Sequence, residues 1–494
     1  MLDLKYLDVV VGTVAVYCVY RLMTLEKRAL SLPPGPRGFP LIGNLFDVPA
    51  EREWLTFAKW GETYVLGQPL IIVNSASIAK EMLDKNSAIY SDRPVIPMGG
   101  ELCGWKNTLV LTPYGERFRN YRRLAHQLFG NAATMKSFHP VEELETHRFL
   151  KRLLSRPAGF SDHIRKTAGA IILRISHGYE VGEGEDPFVT LADKATEQFA
   201  LSTTPGFLVN LVPFLQYLPD WFPGASFKQT AKEWSATLNE MVDLPYDYVK
   251  RHIAAGSAEP SYVSKLVEGQ TLSPEQEFEI KWSSASLYSG MWTVSAIYSF
   301  FKAMAMYPEV QVRAQAELDA VVGVDRLPSF EDRDHLPYIQ AVTLEALRWH
   351  SVVPTSVPHR VTEDNVFNGY FIPKGALVLS NLWQMNHDPE VYHDPMSFIP
   401  ERFMGPQPEM DPREACFGFG RRFVGRVLAD ASVFISCAMA LAVFNISKYS
   451  ENGVVIEPDM DQSTGTISHP SSFKCTISPR SDRAVALIQA DERR

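Results

Sequence analysis

The strongest constraint on this chain is a helix signal near its middle. Ser273-Pro274-Glu275-Gln276 combines a serine N-cap, a proline at the first helical position and a glutamine three residues after the cap. Together these make a capping box. The helix they start can run to about Met306, before Pro308. A second helix begins near Tyr307-Pro308-Glu309, a third covers roughly Tyr338 to His350, and a fourth runs from about Arg426 to Phe444. The fourth is apolar and small-residued all round, the pattern of a buried helix. Strand candidates are short: Leu70–Val73, Leu377–Leu379 and Val454–Ile456. The fold class is therefore mainly α with a minor β-sheet. No internal repeat or low-complexity tract follows residue 50.

With 494 residues, 46% of them hydrophobic and 21% charged, the chain is globular and can build a core around a sizeable cofactor. That length suits two or three domains or one large one. A net charge of -9 argues against nucleic acid as a partner, because nucleic-acid binding usually needs a basic patch. The five cysteines, Cys18, Cys103, Cys416, Cys437 and Cys475, are scattered, without a C-x-x-C pair. That pattern suits a reducing compartment, with no disulfide framework and no zinc site.

Near the N-terminus, Val9 to Tyr20 is almost wholly apolar, bounded by Asp8 and Arg21. Taken as helix, Leu2 to Met23 spans about 33 Å at 1.5 Å per residue, enough to cross a bilayer. Lys27 and Arg28 favour a cytosolic C-terminal side, and no small-residue cleavage site follows. A buried or interfacial helix is the plainer alternative. Leu32-Pro33-Pro34-Gly35-Pro36 then forms a stiff connector. The expected division is a membrane anchor over 1–25, a Pro-rich hinge over 26–44 and one large domain over 45–494. The expected location is a membrane, single-pass, of the endoplasmic reticulum, with the main domain cytosolic.

Three late patterns carry the chemistry. Glu345-Ala346-Leu347-Arg348 places an acid and a base on one helix face. Pro400-Glu401-Arg402-Phe403 follows, and then Phe417-Gly418-Phe419-Gly420-Arg421-Arg422, a glycine loop that can approach a flat anionic ligand closely. In this order the three resemble the cytochrome P450 family. The resemblance extends over the chain through the apolar anchor, the PPGP hinge, Phe118-x-x-x-Arg122, VPHRVTED at Val357–Asp364 and Asn386-His387-Asp388-Pro389. The likeness is to the microsomal type of filamentous fungi.

That resemblance implies the P450 fold with an N-terminal transmembrane helix. It also implies haem b held by a cysteine thiolate, electrons from an NADPH-dependent membrane reductase, and insertion of one oxygen atom into an apolar small molecule. It assigns Glu345, Arg348 and Arg402 to a structural network. It places Arg122, Arg360 and Arg422 at the haem propionates. The segment from about Phe188 to Trp234 is expected to roof the cavity.

The sequence departs from the family in three places. Where the family has FGFGRR, one residue, then cysteine, this chain has Phe423-Val424-Gly425-Arg426. Val424 stands at the thiolate position, and valine offers iron no donor. Cys416, eight residues upstream of Val424, could reach the iron only by refolding the glycine loop. Second, Ser289-Gly290-Met291-Trp292-Thr293-Val294-Ser295 replaces the family's proton-relay stretch, with Trp292 in the acid's place and Thr293 the remaining catalytic candidate. Loss of a positioned proton donor forfeits about 10²–10⁴ in rate. Third, residues 61–69 are shortened, so one strand of a hairpin is expected to be missing. Relaxed selection or a displaced exon boundary would each produce such changes.

Four functions follow from these residues. One is a P450 homologue that has lost monooxygenase activity. Another is an active monooxygenase of an apolar secondary metabolite or xenobiotic, with an atypical ligand or a gene sequence that misstates the real protein. A third is a haem-independent isomerase or cyclase using the same apolar cavity, and the fourth is a non-catalytic binding protein at the membrane.

Overall fold

The computed structural model describes residues 30–490 apart from 40–42, 45, 50, 66–67, 130–131, 204–205, 289–291 and 421–424. The expected anchor over 1–25, part of the hinge, and both Arg422 and Val424 lie outside the described residues.

The long helices, in chain order, are α1 (Glu116–Phe129), α2 (His139–Ser155), α3 (Phe160–His177), α4 (Pro187–Ser202) and α5 (Phe227–Ala254). They continue with α6 (Pro274–Tyr288), α7 (Trp292–Met306), α8 (Pro308–Val321), α9 (Pro337–Trp349) and α10 (Arg426–Val443). The expected starts are those observed. Gln276 N donates to Ser273 Oγ at 3.2 Å, and Ser273 N donates to Gln276 Oε1 at 2.9 Å, closing the capping box of α6. Pro308 opens α8 behind a Tyr307 cap. The described parts of the long central segment are α6 and α7.

Burial explains the composition of α10. From Leu428 to Val443 nearly every side chain is enclosed, with Phe434, Ile435, Cys437, Ala438 and Leu441 fully so. This helix is long and apolar enough to cross a membrane, yet most of it is buried in protein, as a core helix is. It packs with α7, α8, α9 and α2 around Phe149, Phe300, Phe301 and Phe434. A second cluster, including Trp105, Phe199, Leu238 and Trp282, joins α4, α5 and α6.

The sheet content is minor, as expected. A four-stranded sheet has the order β1-β2-β6-β3, where β1 is Glu62–Val65, β2 Gln68–Val73, β3 His359–Arg360 and β6 Leu377–Ser380. Leu70 pairs with Leu377 in parallel, so two segments far apart in sequence meet in one sheet. Two small sheets follow. One joins β4 (Asn365–Phe367) to β5 (Tyr370–Ile372), and the other orders β8 (Val454–Ile456), β7 (Phe444–Glu451) and β9 (Cys475–Pro479).

The expected loss of a hairpin strand at 61–69 is not met. β1 pairs antiparallel with β2 in the register Glu62↔Ile71 to Val65↔Gln68. Antiparallel strands need only two connecting residues, so the shortened stretch still closes a hairpin.

Candidate functional site

The site stands on the Glu345 network. Glu345 and Arg348 are both fully buried. Arg348 Nε and Nη2 donate to Glu345 Oε2 and Oε1, each at 2.7 Å. Arg402 Nε reaches Oε1 at 3.2 Å, and Arg402 Nη1 donates to Glu409 at 2.6 Å and to the His393 carbonyl at 2.7 Å. Arg348 also donates to the carbonyls of Asn386, Pro395 and Ser397. Three sequence-distant segments are thus tied to α9, as the residue pattern leads one to expect.

Beside this lock lies a cavity of about 240 Å³. α10 and the glycine loop supply Phe417, Gly418, Phe419, Leu428 and Ala429 to its wall, and α7 supplies Thr293 and Val294. α3 and α4 contribute Ile172, Val189, Ala192 and Phe199. The expected roof from Phe188 to Trp234 is met by its first part, α4. Gly420 has φ +80, and a Cβ there would meet the Leu83 carbonyl at 3.1 Å, so both backbone angle and space call for glycine.

Three basic side chains in the wall, Arg93, His359 and Arg165, are not among the sequence candidates. Arg93 is buried, donating to the carbonyls of Val110 at 2.9 Å, Val357 at 2.5 Å and Pro358 at 2.7 Å. His359 is buried next to Gly420, and its Nδ1 donates to the Tyr90 carbonyl at 2.6 Å. The candidate in this strand, Arg360, points the other way. Its side chain is 44% exposed, with Asp92 4.0 Å away. Side chains alternate across a strand, so the wall position belongs to His359 in place of Arg360. That alternation was the available signal. Ser91-Asp92-Arg93-Pro94 carries none, since only the fold brings the three carbonyls around Arg93. Arg122 lies on α1, partly buried, and is not among the cavity-lining residues described. Thr293 is in the wall, at the start of α7.

The described cysteines offer no thiolate. Cys416 lies in a recess that shares Thr293, Phe417 and Ala429 with the cavity. Its Sγ donates to the Leu347 carbonyl at 3.3 Å and accepts from Asn386 Nδ2 at 3.4 Å. Burial pushes this thiol up to about 12, so it keeps its proton. Cys437 is enclosed within α10, and burial raises it well above the ordinary thiol value. Cys103 belongs to the α4–α6 cluster and Cys475 to β9. Both thiols are pushed up to about 12 by burial.

A mainly helical domain whose apolar cavity lies between two core helices, beside a buried Glu-Arg-Arg lock, is the architecture of a haem-thiolate monooxygenase. The cytochrome P450 family model matches residues 33–477, and the chain belongs to that family. It is 50% identical over 473 residues to cytochrome P450 monooxygenase 208 of Postia placenta, covering 93% of this chain and 92% of the relative. It is 47% identical to cytochrome P450 monooxygenase claR of Ampulloclitocybe clavipes, covering 95% and 90%. A zebra fish cytochrome P450 solved with abiraterone shares the fold at a TM-score of 0.69 and 22% identity, over 87% of this chain and all of that one.

The family binds haem, and these residues fit the group in part. Arg93 offers a guanidinium for carboxylates, and the open glycine loop leaves room for a flat face. The metal centre does not fit. The loop and α10 present Phe417, Gly418, Phe419, Gly425, Leu428, Ala429 and Ser432 to the cavity, and residues 421–424 are Arg, Arg, Phe and Val. None of these carries the soft sulfur donor that a haem-thiolate centre requires.

Proposed function

We propose that this chain is a cytochrome P450 homologue that no longer works as a monooxygenase and keeps its apolar cavity as a small-molecule site. One observation carries the reading: Val424 occupies the thiolate position in a loop without cysteine. The bound sulfur donates electron density for O–O cleavage, so its loss removes the step on which the chemistry depends. The absent acid at Trp292 acts in the same direction. Haem would be retained weakly, through its carboxylates and burial alone, and transfer of electrons from a reductase would have no productive outcome.

The same reading keeps the boundaries 1–25, 26–44 and 45–494 and a cytosol-facing domain anchored at the endoplasmic reticulum. Supporting it are the apolar run Val9–Tyr20 and a surface carrying Leu208, Phe214, Tyr217 and Trp221, each at least 64% exposed.

The deciding test is the reduced, carbon-monoxide-bound absorption spectrum of the purified full-length protein. No haem, or a Soret band of nitrogen or oxygen ligation, agrees with the proposal. A thiolate-type band overturns it and makes the chain an active monooxygenase. Sequencing the transcript across codons 420–430 tests the displaced exon boundary directly.

A further inference from the structure

One polar corner of the cavity is formed by two helices. It is built by α3 and α4, which approach closely at Gly169: a Cβ there would meet Val189 Cγ2 at 3.1 Å. Arg165 lies one turn before Gly169, Asp193 one turn after Val189, and Thr196 one turn beyond Asp193 on the same face. All three line the cavity.

Their hydrogen bonding is incomplete. Thr196 is 6% exposed, and its Oγ1 is enclosed without a partner. Buried hydroxyls are almost always paired, so this one marks a place for a ligand's polar atom. Arg165 has Asp162 at 3.7 Å as its ion-pair partner. Burial raises the Asp193 carboxyl, Arg165 lowers it, and both Asp162 and Glu197 raise it further. Within the corner itself the Arg165 guanidinium is matched by the Asp193 carboxyl, and the exposed Asp162 and Glu197 add negative charge from outside, so an anionic head group finds no surplus positive charge there. An ionised Asp193 only accepts hydrogen bonds, whereas Thr196 can donate or accept. An ammonium could donate to both Asp193 and Thr196 but would bring a second positive charge against Arg165. A neutral hydroxyl satisfies both partners.

We propose that this corner seats the hydroxyl of a neutral apolar alcohol, donating to Asp193 and accepting from Thr196, with the hydrocarbon body against Ile172, Val189, Ala192 and Phe199. The proposal rests on the reading of the cavity as a site for apolar small molecules and names the class of molecule.

The test is direct binding to the full-length protein by calorimetry, using farnesol, the hydrocarbon farnesene and farnesoic acid. Farnesol should bind about tenfold more tightly than farnesene, equivalent to about 1.4 kcal/mol, and also more tightly than farnesoate. Thr196→Val and Asp193→Asn should each shrink that preference below about threefold while farnesene affinity stays within about twofold, and Thr196→Ser should keep the preference. Equal binding of farnesol and farnesene, tightest binding of farnesoate, or an unchanged preference in both variants overturns the head-group assignment alone. Failure of all three probes to bind overturns the small-molecule site and the assignment with it.

Discussion

Glu345 and Arg348 face each other three residues apart on α9, with two hydrogen bonds of 2.7 Å and no solvent contact on either side chain. Arg402 closes the group from another segment, and the Tyr392 ring lies 5.3 Å from the Arg348 guanidinium carbon. Removing one member of a buried pair leaves the other charge stranded, at a cost of about 3–5 kcal/mol. Glu345→Ala should therefore lower the urea midpoint sharply or abolish soluble expression. A midpoint shift equivalent to less than about 1 kcal/mol would show that the group does not lock the fold.

Arg93 and Arg360 should behave oppositely. Arg93→Ala removes a buried guanidinium from three part-buried carbonyls and should cost about 2–4 kcal/mol. Arg360→Ala removes an exposed charge and should stay within about 0.5 kcal/mol. Denaturant curves for the two variants under one buffer condition decide this.

Glu142 gives stability a pH dependence. It is buried between α2 and α10, and its Oε1 accepts from Ser432 Oγ at 2.7 Å. Burial raises its carboxyl from 4.5 to about 8, against the opposing pull of Ser432 and Arg333. Between those two values the folded chain holds the extra proton, so this group's contribution to stability falls as pH rises through the window. The loss between about pH 5 and pH 8 should be on the order of 2–4 kcal/mol. Glu142→Gln keeps an acceptor for Ser432 and should flatten the dependence. Urea melts at several pH values would expose an unchanged slope, which contradicts this assignment.

Cys103, Cys416, Cys437 and Cys475 should resist alkylation in the native protein. Each thiol is raised by burial, and the thiolate is the reactive form. Mass spectrometry after iodoacetamide treatment should find these four modified only once the chain is unfolded. Rapid native labelling of Cys416 would mean that it is available as a thiolate after all.

Valine at position 424 suggests a gain-of-function experiment. Val424→Cys should raise haem content and introduce a thiolate-type band in the carbon-monoxide spectrum. Because the loop is also one residue short when counted from Gly425, a second variant with one residue inserted between positions 424 and 425 should strengthen the band. Absence of the band from both variants would place the defect elsewhere in the cavity.

Local chemistry was enough to read much of this protein from its residues. Capping residues and helical periodicity located α6, α8, α9 and α10 and put Glu345 and Arg348 on one helix face, because these signals lie within a few residues of one another. Arg402, 57 residues from Glu345, was joined to them by the family resemblance. The missing sulfur is likewise a matter of composition. What tertiary structure decided depends on segments that meet only after folding. A two-residue connection still closes the β1–β2 hairpin, which no count of missing residues could reveal. Arg93 became a wall residue because Val110, Val357 and Pro358 converge on it, and His359 displaced Arg360 because β3 turns alternate side chains to opposite faces. Arg165, Asp193 and Thr196 likewise share a corner only because the close contact at Gly169 holds α3 against α4. Patterns within one helix or turn are fixed by short-range sterics and hydrogen bonding, whereas neighbours across the chain are fixed by packing.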